Sequence, residues 1–182
     1  MVRMYRFMMM ALAASVPAPV AQAEAAWAQA PGTPAGEAQA PVTQAEAAAA
    51  MDRAEAIVRR VLGLPEAALR PAPPASDAPA TRSGIVRDFG RLFRLAEPRF
   101  VFTPRPQRFD AARLRRLPAA SDQAQLERLV RWGAVAPYGP LATNPGGLSP
   151  EEFGDALGFL VARIAELTHT PDARFSPGLM RD

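Results

Sequence analysis

The stretch Leu126 to Leu167, LERLVRWGAVAPYGPLATNPGGLSPEEFGDALGFLVARIAEL, decides the fold. Its second half opens on Ser149 as a helix N-cap. Pro150 takes the first helical position, and Glu152 stands three residues past the cap, where its carboxylate reaches back to the cap's own N–H. Phe153, Ala156, Leu157, Leu160, Val161, Ile164 and Leu167 then recur at three and four residues, which predicts one apolar stripe along a long helix. The first half predicts a shorter helix over Asp122 to Trp132. Leu126, Leu129 and Val130 form its inner side, and Gly133 stands where the chain needs a positive φ to leave it. Between the two, Pro137 to Pro140 and Asn144 to Gly147 read as turn clusters.

Working outward, Thr43 and Glu46 form a second capping box. Ala47, Ala50, Met51, Ala54, Ile57, Val58, Val61 and Leu62 follow at helical spacing up to Gly63, so 42–70 reads as an alanine-rich helix. A Pro-rich linker, 71–81, should be extended. Ser83 then caps a helix with Ile85, Val86, Phe89, Leu92 and Phe93 inward and Arg87, Arg91 and Arg94 outward. Pro98 closes it. Arg99 to Thr103 alternates in the manner of a short strand, Phe100 and Phe102 pointing into the core. Phe109, Leu114 and Leu117 carry the apolar signal on to the Asp122 helix. The tail, 171–182, is irregular, with Phe175 available to dock it. The fold class is therefore mainly α: a small helix-loop-helix domain over 82–170 with at most one or two short strands.

The first 23 residues read as a secretory signal. Arg3 and Arg6 precede an apolar run from Phe7 to Val16, and Ala21-Gln22-Ala23 is a small-x-small cleavage site, with a second possible cut near Ala28. That run is about half of what a bilayer-spanning helix needs, so no membrane span is expected after cleavage. Residues 24–41 are Ala, Gln, Pro and Gly with one Trp, a composition that predicts a disordered leader. The protein is expected to be exported, to the periplasm or to the cell surface and wall.

The absence of cysteine excludes disulfides, thiolate metal sites and Cys nucleophiles. All 21 basic residues are arginine, a bias of composition. Charge is segregated: residues 82–131 carry twelve Arg against five acids, while 24–81 and 132–182 are each net −3. The cleaved chain is net +1, so the basic pI does not argue for nucleic acid as a partner. Arg87, Arg91 and Arg94 read either as a solvated face or as a surface for anionic glycan or lipid headgroups.

No catalytic constellation and no cofactor motif stands out. His169 is the only histidine and sits just past a helix, where it complements the helix dipole. Glu151, Glu152 and Asp155 share a first helical turn, where acids need no metal to explain them, and no metal site is expected. Trp132 and Tyr138 flank the connecting loop and read as core lid or as sugar platform. Gly154 and Gly158, four apart, predict close packing of a neighbouring helix or loop on the last helix.

The order of features in 109–165 resembles an S-layer homology repeat, in which a first helix ends on a Gly-hydrophobic step and a turn-rich loop leads to a second helix. Phe109, Leu117 and Pro118 match its entry. Leu126, Leu129, Val130, Gly133, Ala134 and Val135 match the end of the first helix, and Leu148, Ser149, Glu152, Phe153, Ala156 and Leu157 match the second. Val42 to Glu46, with the helix after it, resembles a further half repeat over 42–62. The resemblance implies a non-catalytic module that binds or anchors at the cell wall or surface. The family's second-helix motif carries an Arg linked to an anionic wall polysaccharide, and its counterparts here are Gln44 and Pro150. The expected partner is accordingly a cell-wall glycan or, on the Arg-rich 82–116 surface, an acidic envelope protein in the periplasm.

Overall fold

A computed structural model describes residues 40–65, 76–103 and 105–175. The expected signal segment, residues 24–39 of the leader, 66–70 of the alanine-rich helix, 71–75 of the linker and 176–182 of the tail lie outside the described residues. Five α-helices follow in order: Gln44–Leu62 (α1), Arg82–Ala96 (α2), Ala120–Arg131 (α3), the single turn Pro140–Thr143 (α4) and Pro150–Leu167 (α5). Short 3-10 turns occupy Glu97–Arg99, Ala111–Arg113 and Asp172–Arg174. Among the described residues none of the helices is long and apolar enough to cross a membrane.

Local chemistry sets the helix ends. Both capping boxes form: Thr43 Oγ1 accepts the Glu46 N–H while Glu46 Oε2 accepts the Thr43 N–H, and Ser149 and Glu152 repeat the exchange. The bonds from Thr43, backbone first and hydroxyl second, hold the Glu46 carboxyl below its ordinary pKa. At the other ends, Gly63 and Gly133 adopt φ of 61° and 70°. The Ala134 N–H reaches Leu129 O at 2.8 Å and the Gly133 N–H reaches Val130 O at 2.9 Å, which closes α3 in a Schellman turn.

Helix α2 occupies the centre. It is the element on which α1, α3 and α5 all pack, and α3 and α5 each lie against α2 more than against each other. The reason is compositional. Ile85, Val86, Phe89, Gly90, Leu92, Phe93 and Ala96 are all buried, so the apolar arc of α2 is wide enough to serve several neighbours. Phe89 meets Phe153 of α5 with ring centroids 6.0 Å apart, and Phe93 meets Trp132 at 5.9 Å. Gly90 allows α3 to approach closely, since a Cβ there would lie 2.7 Å from Gln125 Cγ.

Several boundaries differ from the sequence expectations. The cap of α2 is Thr81, which accepts the Gly84 N–H at 3.1 Å, and Ser83 lies inside the helix. The cause is the preceding chain. Ala80 donates to Val42 O at 2.8 Å and Gln44 donates to Ala78 O at 2.8 Å, so the end of the expected linker is tied down extended beside the start of α1 and the helix begins as soon as the tie ends. An isolated bridge between Thr43 and Pro79 is the single β-type pairing among the described residues. The expected strand over Arg99 to Thr103 does not form, because no neighbouring strand offers it a ladder. Its one backbone bond to a distant segment runs from the Val101 N–H to Leu167 O, 2.9 Å, and the Arg99 guanidinium donates to Gly63 O at 3.4 Å. Phe100 packs inward beside Phe93 and Trp132, but Phe102 is 39% exposed and lies edge-on to His169. Helix α3 begins at Ala120, two residues before Asp122. The unanticipated α4 fills the gap between the two turn clusters, and its Leu141 and Ala142 are buried. Phe175 is buried and docks the start of the tail.

Candidate functional sites

Of the twelve arginines from Arg82 to Arg131, nine lie on α2 or on the segment 105–116, and the structure divides these nine by what they touch. Arg82 is not on the surface. Its guanidinium is buried and donates to the carbonyls of Leu141 (2.8 Å), Ala142 (3.2 Å) and Arg115 (3.5 Å), which pins α4 and the segment before α3 to the start of α2. Burial, and after it the charge of Arg115, pulls its pKa below the ordinary arginine value, yet a guanidinium stays charged at neutral pH.

The expected basic face Arg87, Arg91 and Arg94 is turned to neighbours as well. Arg87 lies 3.7 Å from the buried Asp122 of α3, and Arg91 lies 3.6 Å from Glu55 of α1 and from Asp88. Arg94 donates to the side-chain Oε1 of Gln125. These three side chains bridge α2 to the helices on either side of it, so two of the three are already matched by carboxylates.

The segment from 105 to 116 behaves differently. Arg105, Arg108, Arg113, Arg115 and Arg116 are all exposed. Arg113 lies 3.6 Å from Asp110, whereas the other four guanidinium groups pair with no carboxylate among the described residues. The backbone of this segment is held at two points, by Gln107 N–H to Arg131 O at 2.8 Å and by Arg115 N–H to Ala142 O at 2.9 Å. Buried Leu114 and Leu117 anchor it between them. The arginines therefore project from a seated strap. Arg113 also sits over the ring of Tyr138, 5.7 Å from its centroid, and Tyr138 is 62% exposed.

Of the two aromatic candidates, only Tyr138 offers a face to solvent. Trp132 is partly buried and wedged in a cluster with Phe93 and Phe100, with Arg163 Nε donating to its carbonyl at 2.9 Å. Its ring serves as a lid on the core. The capping residues Thr43, Glu46, Ser149 and Glu152 are engaged in their own helix starts. Glu152 additionally accepts from Asn144 Nδ2 at 3.2 Å, so both of its oxygens are used. Among the described residues no group of three or more His, Asp or Glu side chains is placed to hold a metal ion.

A second feature runs along α1 and α5. The expectation that Gly154 and Gly158 are covered by a neighbouring element is not met: a Cβ at either position would touch nothing within 4 Å. Both line an open, mainly apolar groove of about 660 Å³ with Ala50 and Arg53 of α1 and Asp155, Phe159 and Ala162 of α5. Two glycines spaced four apart are a legible signal for a flat helix side. They do not say whether that side is occupied.

Compared with protein-family models, curated proteins and solved structures, the chain matches none.

Proposed function

We propose that the protein is an exported, non-catalytic binding module of the cell envelope, and that it holds an anionic wall polysaccharide on the strap 105–116 together with Tyr138. The observation that carries this reading is the division of the arginines. Those on α2 each have a partner within the protein, Arg87 and Arg94 from exposed positions, while Arg105, Arg108, Arg115 and Arg116 stand exposed without carboxylates on a backbone that is already seated. Ordering a loop on binding costs affinity, so a seated loop of unpaired guanidiniums is a favourable receptor for carboxylate or phosphate groups. An exposed tyrosine ring with a guanidinium over it suits a polymer that alternates sugar faces with charges.

The resemblance to S-layer homology repeats supports an envelope role in outline. It does not carry the site, since Gln44 and Pro150 stand where that family has its binding Arg. Gln44 Nε2 lies 3.5 Å from the Pro79 carbonyl, and Pro150 fills the first turn of α5. Charge for the ligand has to come from elsewhere on the chain, and the strap supplies it.

The test is co-sedimentation of the protein with purified peptidoglycan carrying its wall polysaccharide. Binding should weaken as salt is raised and should be lost in Arg108→Glu/Arg116→Glu, while Arg87→Glu/Arg94→Glu keeps it. No sediment above a control protein would remove the glycan reading and leave an acidic envelope protein as the partner for the same surface. Equal loss in both double variants would show that the strap has no special part.

A further inference from the structure

We infer that the loop from Arg99 to Arg108 docks the protein on an anionic lipid surface, with Val101 and Phe102 entering the headgroup layer and Arg99, Arg105 and Arg108 meeting its phosphates. Exposed apolar side chains are ordinary when scattered singly. Here two of the four large ones that stand exposed among the described residues are neighbours in sequence, Val101 at 59% and Phe102 at 39%. Their exposure is not fraying. Phe100 is anchored beside Phe93 and Trp132, the Val101 N–H is tied to Leu167 O, and the Gln107 N–H is tied to Arg131 O, so a seated backbone holds the pair outward. From Val101 to Arg108 every described residue is exposed, which makes this a protruding segment rather than the wall of a groove.

The charge around the pair has one sign. Arg99 and Arg105 stand three positions to either side of Phe102, within about 11 Å of extended chain, and Arg108 follows three residues later. Residues 99–108 contain no acid. The nearest acids along the chain are engaged, Glu97 with Arg128 at 2.6 Å and Asp110 with Arg113 at 3.6 Å. Glu166 and Asp172 share a cleft with His169, which lies against Phe102, and both have partners within the protein, Arg163 in the case of Glu166. Guanidiniums take phosphate oxygens in paired hydrogen bonds, and each one held near an anionic bilayer adds to the attraction. The boundary between headgroups and acyl chains accepts a protruding apolar pair of any shape. A protein partner would need a pocket cut for that pair, and a sugar face stacks on the ring but gains little from the valine. Arg105 and Arg108 also belong to the strap, whereas Val101 and Phe102 have no part in glycan binding, so lipid docking stands or falls by itself.

Co-sedimentation of protein recovered from cells producing the full chain, with vesicles of phosphatidylglycerol and phosphatidylcholine in equal parts and with vesicles of phosphatidylcholine alone, tests this. The expected result is binding to the anionic vesicles that weakens as salt is raised, and none above a control protein on the neutral ones. Val101→Ser/Phe102→Ser should lower the affinity by about tenfold or more while helical circular dichroism and co-sedimentation with wall polysaccharide are kept. Arg99→Gln/Arg105→Gln should also lower it by about tenfold or more, since each basic residue at an anionic surface contributes about fivefold. Bromine on the acyl chains should quench the fluorescence of Phe102→Trp more than that of the parent, which carries Trp27 and Trp132. Absence of binding to the anionic vesicles overturns lipid docking. So does binding that Val101→Ser/Phe102→Ser leaves intact, which would be adhesion by charge alone, and so does fluorescence of Phe102→Trp that the brominated lipid quenches no more than the parent's.

Discussion

His169 occupies the one non-glycine position of positive φ among the described residues, at 50°. It stands where glycine stands at the ends of α1 and α3: the His169 N–H bonds Glu166 O at 3.1 Å and the Thr170 N–H bonds Ala165 O at 2.9 Å, the same pair of Schellman bonds. An L-residue in this conformation carries a cost of about 1 kcal/mol that glycine does not. The imidazole is edge-on to Phe102 and so returns part of that cost. His169→Gly should therefore raise stability by about 0.5 to 1 kcal/mol, read as an upward shift of the urea midpoint at constant slope. A fall would mean that the Phe102 contact outweighs the backbone strain. Residue-level features of this kind were legible in the sequence where the partners are three or four positions apart. Thr43 with Glu46, Ser149 with Glu152, and Gly133 all did what their spacing requires. Arg82 was illegible because the carbonyls that bury its guanidinium, on Leu141 and Ala142, lie about sixty residues away.

At the scale of elements, helix existence was written in apolar periodicity, and helix neighbours were not. Leu126, Leu129 and Val130 announce that α3 has an inner side but carry no record of which helix meets it. The sequence suggests that α3 and α5 form a pair around a loop, whereas both are organised by α2. The clue was available in the apolar arc of α2, whose seven buried apolar residues are more than a single contact seam needs. The close approach of α2 and α3 at Gly90 is a direct consequence. Gly90→Ala gains helix propensity of about 1 kcal/mol, yet its Cβ would fall 2.5 Å from Gln125 Nε2 and 2.7 Å from Cγ, so the gain should be reversed. Thermal unfolding should show Gly90→Ala less stable than the parent, and Gln125→Ala in the same chain should restore it. If Gly90→Ala alone is stabilising, Gln125 yields without cost and the contact is looser than its distances imply. The failed strand at Arg99 to Thr103 teaches the complementary lesson. Period-two alternation is a statement about side-chain direction, and it produces a strand only where another strand supplies the hydrogen bonds.

For the whole molecule, one helix shared by three neighbours concentrates stability in few side chains. Phe89 is fully buried and meets Phe153, so Phe89→Ala should cost about 3 to 5 kcal/mol. That is a large part of the total of about 5 to 15 kcal/mol typical of a domain, so the variant should lose α1, α3 and α5 together in one transition. Loss of helical signal in separate steps would show that the helices are less dependent on α2 than their packing indicates. The same architecture explains why the two candidate surfaces were read unevenly. Charge segregation in the sequence located the basic region, but the fold decides which arginines are consumed inside it. The α2 set has partners in Glu55, Asp88, Asp122 and Gln125, although Arg87 and Arg94 stay exposed, while the strap 105–116 has one acid of its own, Asp110. The groove on α5 was half legible: its glycines are visible, while its emptiness depends on where α1 stops covering it.

The tie at the start of α1 bears on the order in which the chain can assemble. The Val42 N–H bonds Leu148 O at 2.8 Å, and Val42 O receives the Ala80 N–H. Val42 is thus fastened to one segment nearly forty residues later and to another more than a hundred residues later. Closing such long loops is entropically slow, and α1 cannot finish docking until the chain through Leu148 has emerged. Until then the segment around Val42 stays undocked, so the helical unit closes only late in synthesis, when most of the chain is already present.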